Sequence, residues 1–193
     1  MRKSVKTRAL EKIIIVGGSA GSFKIVNQLL NSLPQNFKHP LILCLHRLRN
    51  VRAGFAEALQ INSKILISEP DDKEIIRGNR IYLAPANYHL MFDQDHRFLL
   101  STSDPVNHSR PSIDICFETG AEAFKDKTIG VLLSGANMDG AKGMLKVKTE
   151  GGLTIVQSPE DSEIRTMPET CIALFQPDHI LEVDKIIRYI SNL

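Results

Sequence analysis

The sequence predicts an α/β domain, a doubly wound, mostly parallel sheet with helices on both faces and an appended antiparallel β-hairpin. Three observations carry this expectation. From Lys12 onward, short β-branched or aliphatic runs end in polar or Gly-rich turns, and a helix-length amphipathic stretch follows each one. Runs such as IIIV, LILCL and IGVLL are apolar throughout rather than alternating, as strands covered on both faces are. The stretch after Arg80 to Leu83 breaks this rhythm: YHLMF, the polar turn DQDH and RFLLS read as two strands and their turn.

Taken in order, the expected strands are Ile13 to Val16, Leu41 to Leu45, Ile65 to Ile67, Ile129 to Leu133 and Leu153 to Gln157. The expected helices are Phe23 to Leu33, Ala53 to Gln60, Ile113 to Phe124, Ala141 to Glu150 and Lys185 to Ser191. Several carry their own punctuation. Pro34 follows the first helix, Ser112 can cap the third, and Gly151-Gly152 ends the fourth. Residues 1–11 read as a basic N-terminal tail and 12–193 as a single domain, with no repeat, low-complexity tract or linker.

At 193 residues and 42% hydrophobic content the chain can bury a real core, which excludes disorder and a disulfide-stapled miniprotein. With 24 Lys and Arg against 22 Asp and Glu, the net charge of +2 lacks the basic excess of a nucleic-acid binder. Cys44, Cys116 and Cys171 are scattered and form no C-x-x-C pair, which fits core thiols in a reduced, cytoplasmic protein and argues against a zinc ribbon. The apolar run Ile13 to Val16 is too short for a signal-peptide core or a membrane span.

Ligands of open α/β sheets bind beyond the carboxyl ends of the strands, and three strand ends here carry chemistry. After IIIV comes Gly17-Gly18-Ser19-Ala20-Gly21, a G-x-S-x-G in the strand-to-helix context of a nucleophile elbow. Ser19 equally fits a helix N-cap. The dinucleotide fingerprint fails, because Ser19 and Ser22 stand where glycines are needed, and no G-K-[ST] completes a Walker loop. His46 follows LILCL directly; alone it would read as a solvated loop histidine. After IGVLL comes Ser134-Gly135-Ala136-Asn137-Met138-Asp139-Gly140, where Asp139 could merely cap the next helix. Together, a hydroxyl, an imidazole and a carboxylate at three strand ends can converge into an activated nucleophile. Their chain order, Ser, His, Asp, differs from the Ser, Asp/Glu, His order of ordinary α/β-hydrolases.

The surrounding sequence resembles the catalytic domain of the chemotaxis protein-glutamate methylesterases, the CheB family. From about Lys12 to the C-terminus, IIIVGGSAGS is similar to the family's serine loop, and LHR followed by GFAEAL to its histidine segment. IYLAPANYHL, HSRPSID, VLLSGANMDGAKGM and TMPE each resemble a further family motif in the expected order. The resemblance implies Ser19 as nucleophile, His46 as general base and Asp139 as the residue orienting the imidazole. It implies Ala20, Ala136, Asn137, Arg110 and Met167 as oxyanion and substrate-loop positions, with Arg110 lining or rimming the cleft. The implied reaction is hydrolysis of glutamate γ-methyl esters on the cytoplasmic helices of methylated chemoreceptors, extending in many members to deamidation of receptor glutamine. No cofactor or metal is implied. A monomer is expected, with no nucleic-acid partner and no membrane insertion.

Departures from the family pattern bear on rate and fit. Ala20 and Ser22 stand where the family commonly has Thr and Gly, so a side-chain hydroxyl that could support the histidine is missing. Ala136 and Asn137 replace Met and Gly beside the oxyanion site, and Arg165-Thr166 replace an aromatic and Gly before Met167-Pro168. The eleven residues before the first strand leave no room for the family's receiver domain, so either this is an excised catalytic domain or a separate receiver or kinase acts on it in trans. The run from Arg47 through Arg49 to Arg52 would steer an acidic helix toward His46, or else is a solvated basic loop. Two other readings stay open: a serine esterase on a different ester, and a non-catalytic interaction module of the same fold.

Overall fold

The computed structural model describes residues 10–47 and 54–193. Seven strands form one parallel sheet in the order β3-β4-β2-β1-β7-β8-β9: β1 Ile13–Gly18, β2 Leu41–Leu45, β3 Ile67–Ser68, β4 Ile81–Leu83, β7 Thr128–Leu132, β8 Leu153–Gln157 and β9 His179–Leu181. The helices are α1 Ser22–Ser32, α2 Phe55–Gln60, α3 Ile113–Phe124, α4 Ala141–Thr149, α5 Thr166–Leu174 and α6 Val183–Ser191. No described helix is long and apolar enough to cross a membrane.

The apolar runs divide strictly by period two. Ile13 and Ile15 of β1 face one core, shared with Phe117 of α3, Met144 and Val147 of α4, and Cys171 of α5. Ile14 and Val16 face the other, shared with Val26, Leu29 and Leu30 of α1, Leu59 of α2, and Ile186 and Ile190 of α6. Both faces are therefore covered, which is why IIIV and LILCL need no polar alternation. Each fully buried aliphatic or aromatic side chain contributes about 1.5–3 kcal/mol relative to exposure. Leu33 takes an extended conformation before Pro34 and stops α1. Ser112 caps α3, accepting from the Ile115 N–H at 3.4 Å.

The expected antiparallel hairpin is present. β5 His89–Phe92 and β6 Phe98–Ser101 do not extend the parallel sheet but form a two-stranded antiparallel sheet of their own. Its aromatic side decides this: Phe98 packs on Tyr82 with ring centroids 4.6 Å apart, and Phe92 meets Phe124 of α3 at 5.9 Å. The ribbon thus roofs α3 rather than lengthening an edge. The sequence reading missed α5 and β9, and the third strand lies at Ile67–Ser68 rather than Ile65 to Ile67. Residues 1–9 of the expected basic tail, and Ala53 of the expected second helix, lie outside the described residues.

Candidate active site

The strand order reverses at β1: the chain goes to β2 on one side and later returns to β7 on the other. The crevice this opens at the carboxyl ends is the expected ligand position, and Ser19, His46 and Asp139 all follow these three strands. The serine loop is pinned to both neighbours. The Ser19 N–H donates to Ser134 O at 2.9 Å, and the His46 N–H to Gly18 O at 3.0 Å. Ser19 is not a helix cap, because α1 starts at Ser22 after Gly21 in a left-handed conformation. The Ser22 hydroxyl donates to the Ser19 carbonyl at 2.6 Å, which fixes the turn instead of supporting the histidine.

Ser19 and His46 line one cavity of about 600 Å³, together with Ala20, Phe23, Leu45 and Phe55. Phe23, half exposed, packs its ring 5.5 Å from that of Phe55 and gives the cavity an apolar wall. The two side chains of Ser19 and His46 share no hydrogen bond among the described residues. The other side of the imidazole is fixed: His46 Nε2 meets Asp139 Oδ2 at 2.8 Å. A carboxylate only accepts, so Nε2 carries the proton and Nδ1 is left with the lone pair.

Asp139 is fully buried, yet it does not cap its own helix; Gly140, with φ 96°, occupies that place before α4. Its carboxylate reaches across to α3. Oδ2 accepts from the Ile113 N–H at 2.7 Å, while Oδ1 accepts from the Asp114 N–H at 3.1 Å, the Ser112 hydroxyl at 2.9 Å and the Asn107 amide at 3.0 Å. Burial pushes the Asp139 pKa up, but the donors from His46, Asn107, Ile113 and Asp114 outweigh it and hold it below the ordinary carboxyl value. The positive end of the α3 dipole adds in the same direction.

Asp114 returns the favour. From the first turn of α3 its Oδ1 accepts the N–H groups of Gly140 at 2.9 Å and Gly143 at 2.8 Å, at the start of α4. The two helices approach so closely here that a Cβ on Gly143 would lie 2.6 Å from Phe117 Cβ and 2.7 Å from Asp114 O. The start of α4 thus rests on a carboxylate of α3, and the start of α3 on one from the loop leading into α4. Asn107, Ser112 and Asp114 are the site residues the sequence reading did not single out. Ser112 and Asp114 lie inside HSRPSID, and Asn107 stands immediately before it.

The remaining expected positions fall as follows. Ala136 is exposed and Asn137 half-buried in the loop before Asp139, where Asn137 Oδ1 accepts the Asp139 N–H at 3.2 Å. The backbone N–H groups of Ala20, Ala136 and Asn137 make no hydrogen bond among the described residues. Met167 is fully buried against Gly135, its N–H donating to Gly135 O at 3.0 Å. Arg110 turns its guanidinium to the roof: Nε and Nη2 donate to Asn87 Oδ1, and Nη1 to the carbonyls of Thr102 and Ser103 at 2.6 and 2.8 Å. Arg47 has only 3% of its side chain exposed and is engaged by Glu69, the Ala84 carbonyl and the Phe55 ring, so its charge does not project into solvent. Arg49 and Arg52 lie outside the described residues. Among those described, no group of three or more His, Cys, Asp or Glu side chains is placed to hold a metal.

An open, doubly wound parallel sheet that carries a serine loop, and beside it a histidine held by a buried carboxylate, is the layout of a serine hydrolase. The family model described as CheB methylesterase matches residues 14–190, and the chain belongs to that family. A relative from Leptospira interrogans, provisionally named protein-glutamate methylesterase/protein-glutamine glutaminase, is 40% identical over 180 residues, 93% of either chain. A Thermotoga maritima protein of that name is 32% identical over 178 residues, 91% of this chain and 52% of its own length. The crystal structure of the Thermotoga maritima CheB methylesterase catalytic domain matches with a TM-score of 0.89 at 31% identity, covering 95% of this chain and 99% of that one.

Proposed function

We propose that this chain is a protein-glutamate methylesterase in which Ser19 is the nucleophile, His46 the general base and Asp139 the residue that orients the imidazole. The observation that carries the reading is the 2.8 Å bond from His46 Nε2 to a buried, five-donor Asp139, beside a cavity that also holds Ser19. With Nε2–H committed to Asp139, Nδ1 takes the Ser19 proton as Oγ attacks the ester carbonyl. The uncommitted N–H groups of Ala20 and of the Ala136-Asn137 loop are the donors available to the tetrahedral oxyanion. His46 then returns the proton to the leaving methoxide; methanol departs, and water repeats the cycle on the acyl-enzyme to free a carboxylate. On a glutamine side chain the same steps release ammonia. Met167 backs the serine through Gly135, and Arg110 fastens the roof over the HSRPSID segment.

The relatives' names support glutamate methyl esters and glutamine amides as substrates, and the family supports cytoplasmic receptor helices as their carrier. The test is release of methanol from methylated receptor cytoplasmic fragments, with Ser19→Ala as the control. Release by the native protein and none by Ser19→Ala is the expected result. Turnover of a small chromogenic ester without receptor turnover would replace this reading by an esterase of other specificity. Absence of fluorophosphonate labelling would replace it by a binding module.

A further inference from the structure

Asn107 is held by a tight turn. The Val106 N–H donates to Ser109 O at 3.2 Å and the Ser109 N–H returns to Val106 O at 2.9 Å, with Asn107 and His108 between them at φ 48° and 62°. Both central residues are left-handed, the conformation of a type I′ turn, in which Asn is favoured among non-glycine residues. The turn aims the Asn107 side chain inward. Its Nδ2 lies 3.0 Å from Asp139 Oδ1 and 2.9 Å from Asp114 Oδ2. Two carboxylates can only accept, so the amide presents its two hydrogens, one to each.

We infer that Asn107 is a positioning residue of the triad, its neutral amide lashing Asp139 to Asp114 and so holding the carboxylate against His46. The inference rests on the triad reading above. The chemistry of the linker is specific. A lysine at this place would form an ion pair with Asp139 and compete with His46 for it, and a carboxylate would repel both partners. An amide satisfies two buried acceptors while leaving the net charge for the imidazole. The backbone does not demand asparagine, since glycine adopts the same turn without strain. The two hydrogen bonds are the polar contacts that Asn107 makes here and Gly would not.

The experiment compares wild type, Asn107→Gly and Asn107→Asp by methanol release from methylated receptor fragments, rate of fluorophosphonate labelling of Ser19, and thermal denaturation. Displacing a catalytic group by a fraction of an ångström to one ångström costs up to about a hundredfold in rate. Asn107→Gly is therefore expected to lower kcat about five- to fiftyfold with KM within about twofold, and to slow labelling in parallel. Asn107→Asp, which keeps the shape but loses the donors and adds a repelling charge, should be slower still. Wild-type kcat in Asn107→Gly overturns the inference. So does a loss that appears in KM rather than kcat; because losing two hydrogen bonds to buried carboxylates lowers the melting temperature in any case, kcat is compared well below the melting temperature of every variant. If native protein neither labels nor releases methanol, the triad reading itself fails.

Discussion

Asp139 and Asp114 sit in one buried cluster, joined through Asn107, and their pKa values are displaced in opposite directions. Donors overcome burial at Asp139 and lower it. At Asp114 burial dominates, the neighbouring Asp139 charge adds to it, and the N–H groups of Gly143 and Gly140 with the Asn107 amide do not fully offset them, so its pKa is raised. The difference is one of donor count: Asp139 gathers five, Asp114 three.

The two groups therefore couple to acid in opposite senses. A lowered carboxyl pKa stabilises the fold above the ordinary value near 4 and loses that contribution as pH falls through it and below. A raised one stabilises the fold at acid pH and loses its contribution as pH rises from near 4 through the raised value. Asp139→Asn should thus lose stability at pH 7 and converge on wild type toward pH 3. For Asp114→Asn the gap below wild type should instead widen as pH drops from 7 toward 4. Urea midpoints at pH 7, 5, 4 and 3 check both; parallel curves would contradict the assignment.

Asp139→Asn should also leave Ser19 in place while depriving the imidazole of its acceptor. The asparagine can accept from His46 only with the amide turned so that its NH₂ faces the Ser112, Asp114 and Asn107 donors, so one side must break. An approximately hundred- to ten-thousandfold loss of kcat is expected, comparable to the effect of replacing this residue in serine hydrolases generally. Ser19→Ala and His46→Ala should each remove nearly all turnover. Steady-state methanol release measures all three; an Asp139→Asn enzyme within tenfold of wild type would mean that His46 is oriented by something else.

What the sequence made legible follows from what is local. Ile13, Ile15, Leu41 and Leu43 are strand residues buried by helices above and below, and an apolar run reports that without reference to any partner. Ser19, His46 and Asp139 stood out because each ends such a run. YHLMF, DQDH and RFLLS made the hairpin legible, but not its seat, since a strand's own pattern does not say what it packs against, and here Phe98 and Phe92 meet Tyr82 and Phe124. Helix α5 carries Pro168 in its first turn and little amphipathic contrast, and β9 is a three-residue edge strand that is only partly buried. Asn107 was hidden for another reason: it acts from a left-handed turn, which has no period to read. Asp139 read as a possible cap because the sequence cannot tell which of two helices a carboxylate serves.

The three cysteines should be silent in the folded protein. All are buried; the Cys116 side chain and burial push the Cys44 thiol well up, and burial raises Cys171 to about 12. Thiolate is the reactive form, so an aromatic disulfide reagent at pH 8 should titrate none of the three within minutes in native protein and all three in denaturant. Rapid native reaction of any one would show that its surroundings open.

Close packing of α3 on α4 should be as intolerant as the distances suggest. In Gly143→Ala the new Cβ meets Phe117 Cβ and the Asp114 backbone, neither of which is the free end of a flexible side chain. Forcing such a contact costs about 1–3 kcal/mol, or about 2–10 °C in Tm for a domain of this size. It also draws the Gly143 N–H away from Asp114. Differential scanning calorimetry should record the lower Tm, and an unchanged Tm would show that the helices part without penalty.

Gly135 offers the sharpest separation of stability from chemistry. A Cβ there would lie 2.5 Å from Met167 Cε, 2.7 Å from Met167 Sδ and 3.1 Å from Ser19 Cβ. The methionine end is flexible and can yield, whereas Ser19 is pinned by the Ser134 carbonyl and has no comparable freedom. Gly135→Ala should therefore cost about 1–2 kcal/mol of stability, in the range of modest overpacking. Its effect on turnover should be larger, about ten- to a hundredfold in kcat, because the same methyl group displaces Ser19, the proposed nucleophile. Adding Met167→Ala gives the methyl group room on the methionine side. The double variant should regain much of the lost kcat even though Met167→Ala alone opens a cavity and lowers Tm. Measured kcat and Tm for the two single variants and the double variant form a cycle. Additive kcat losses, with no recovery in the double variant, would show that Gly135 does not transmit strain between Met167 and Ser19.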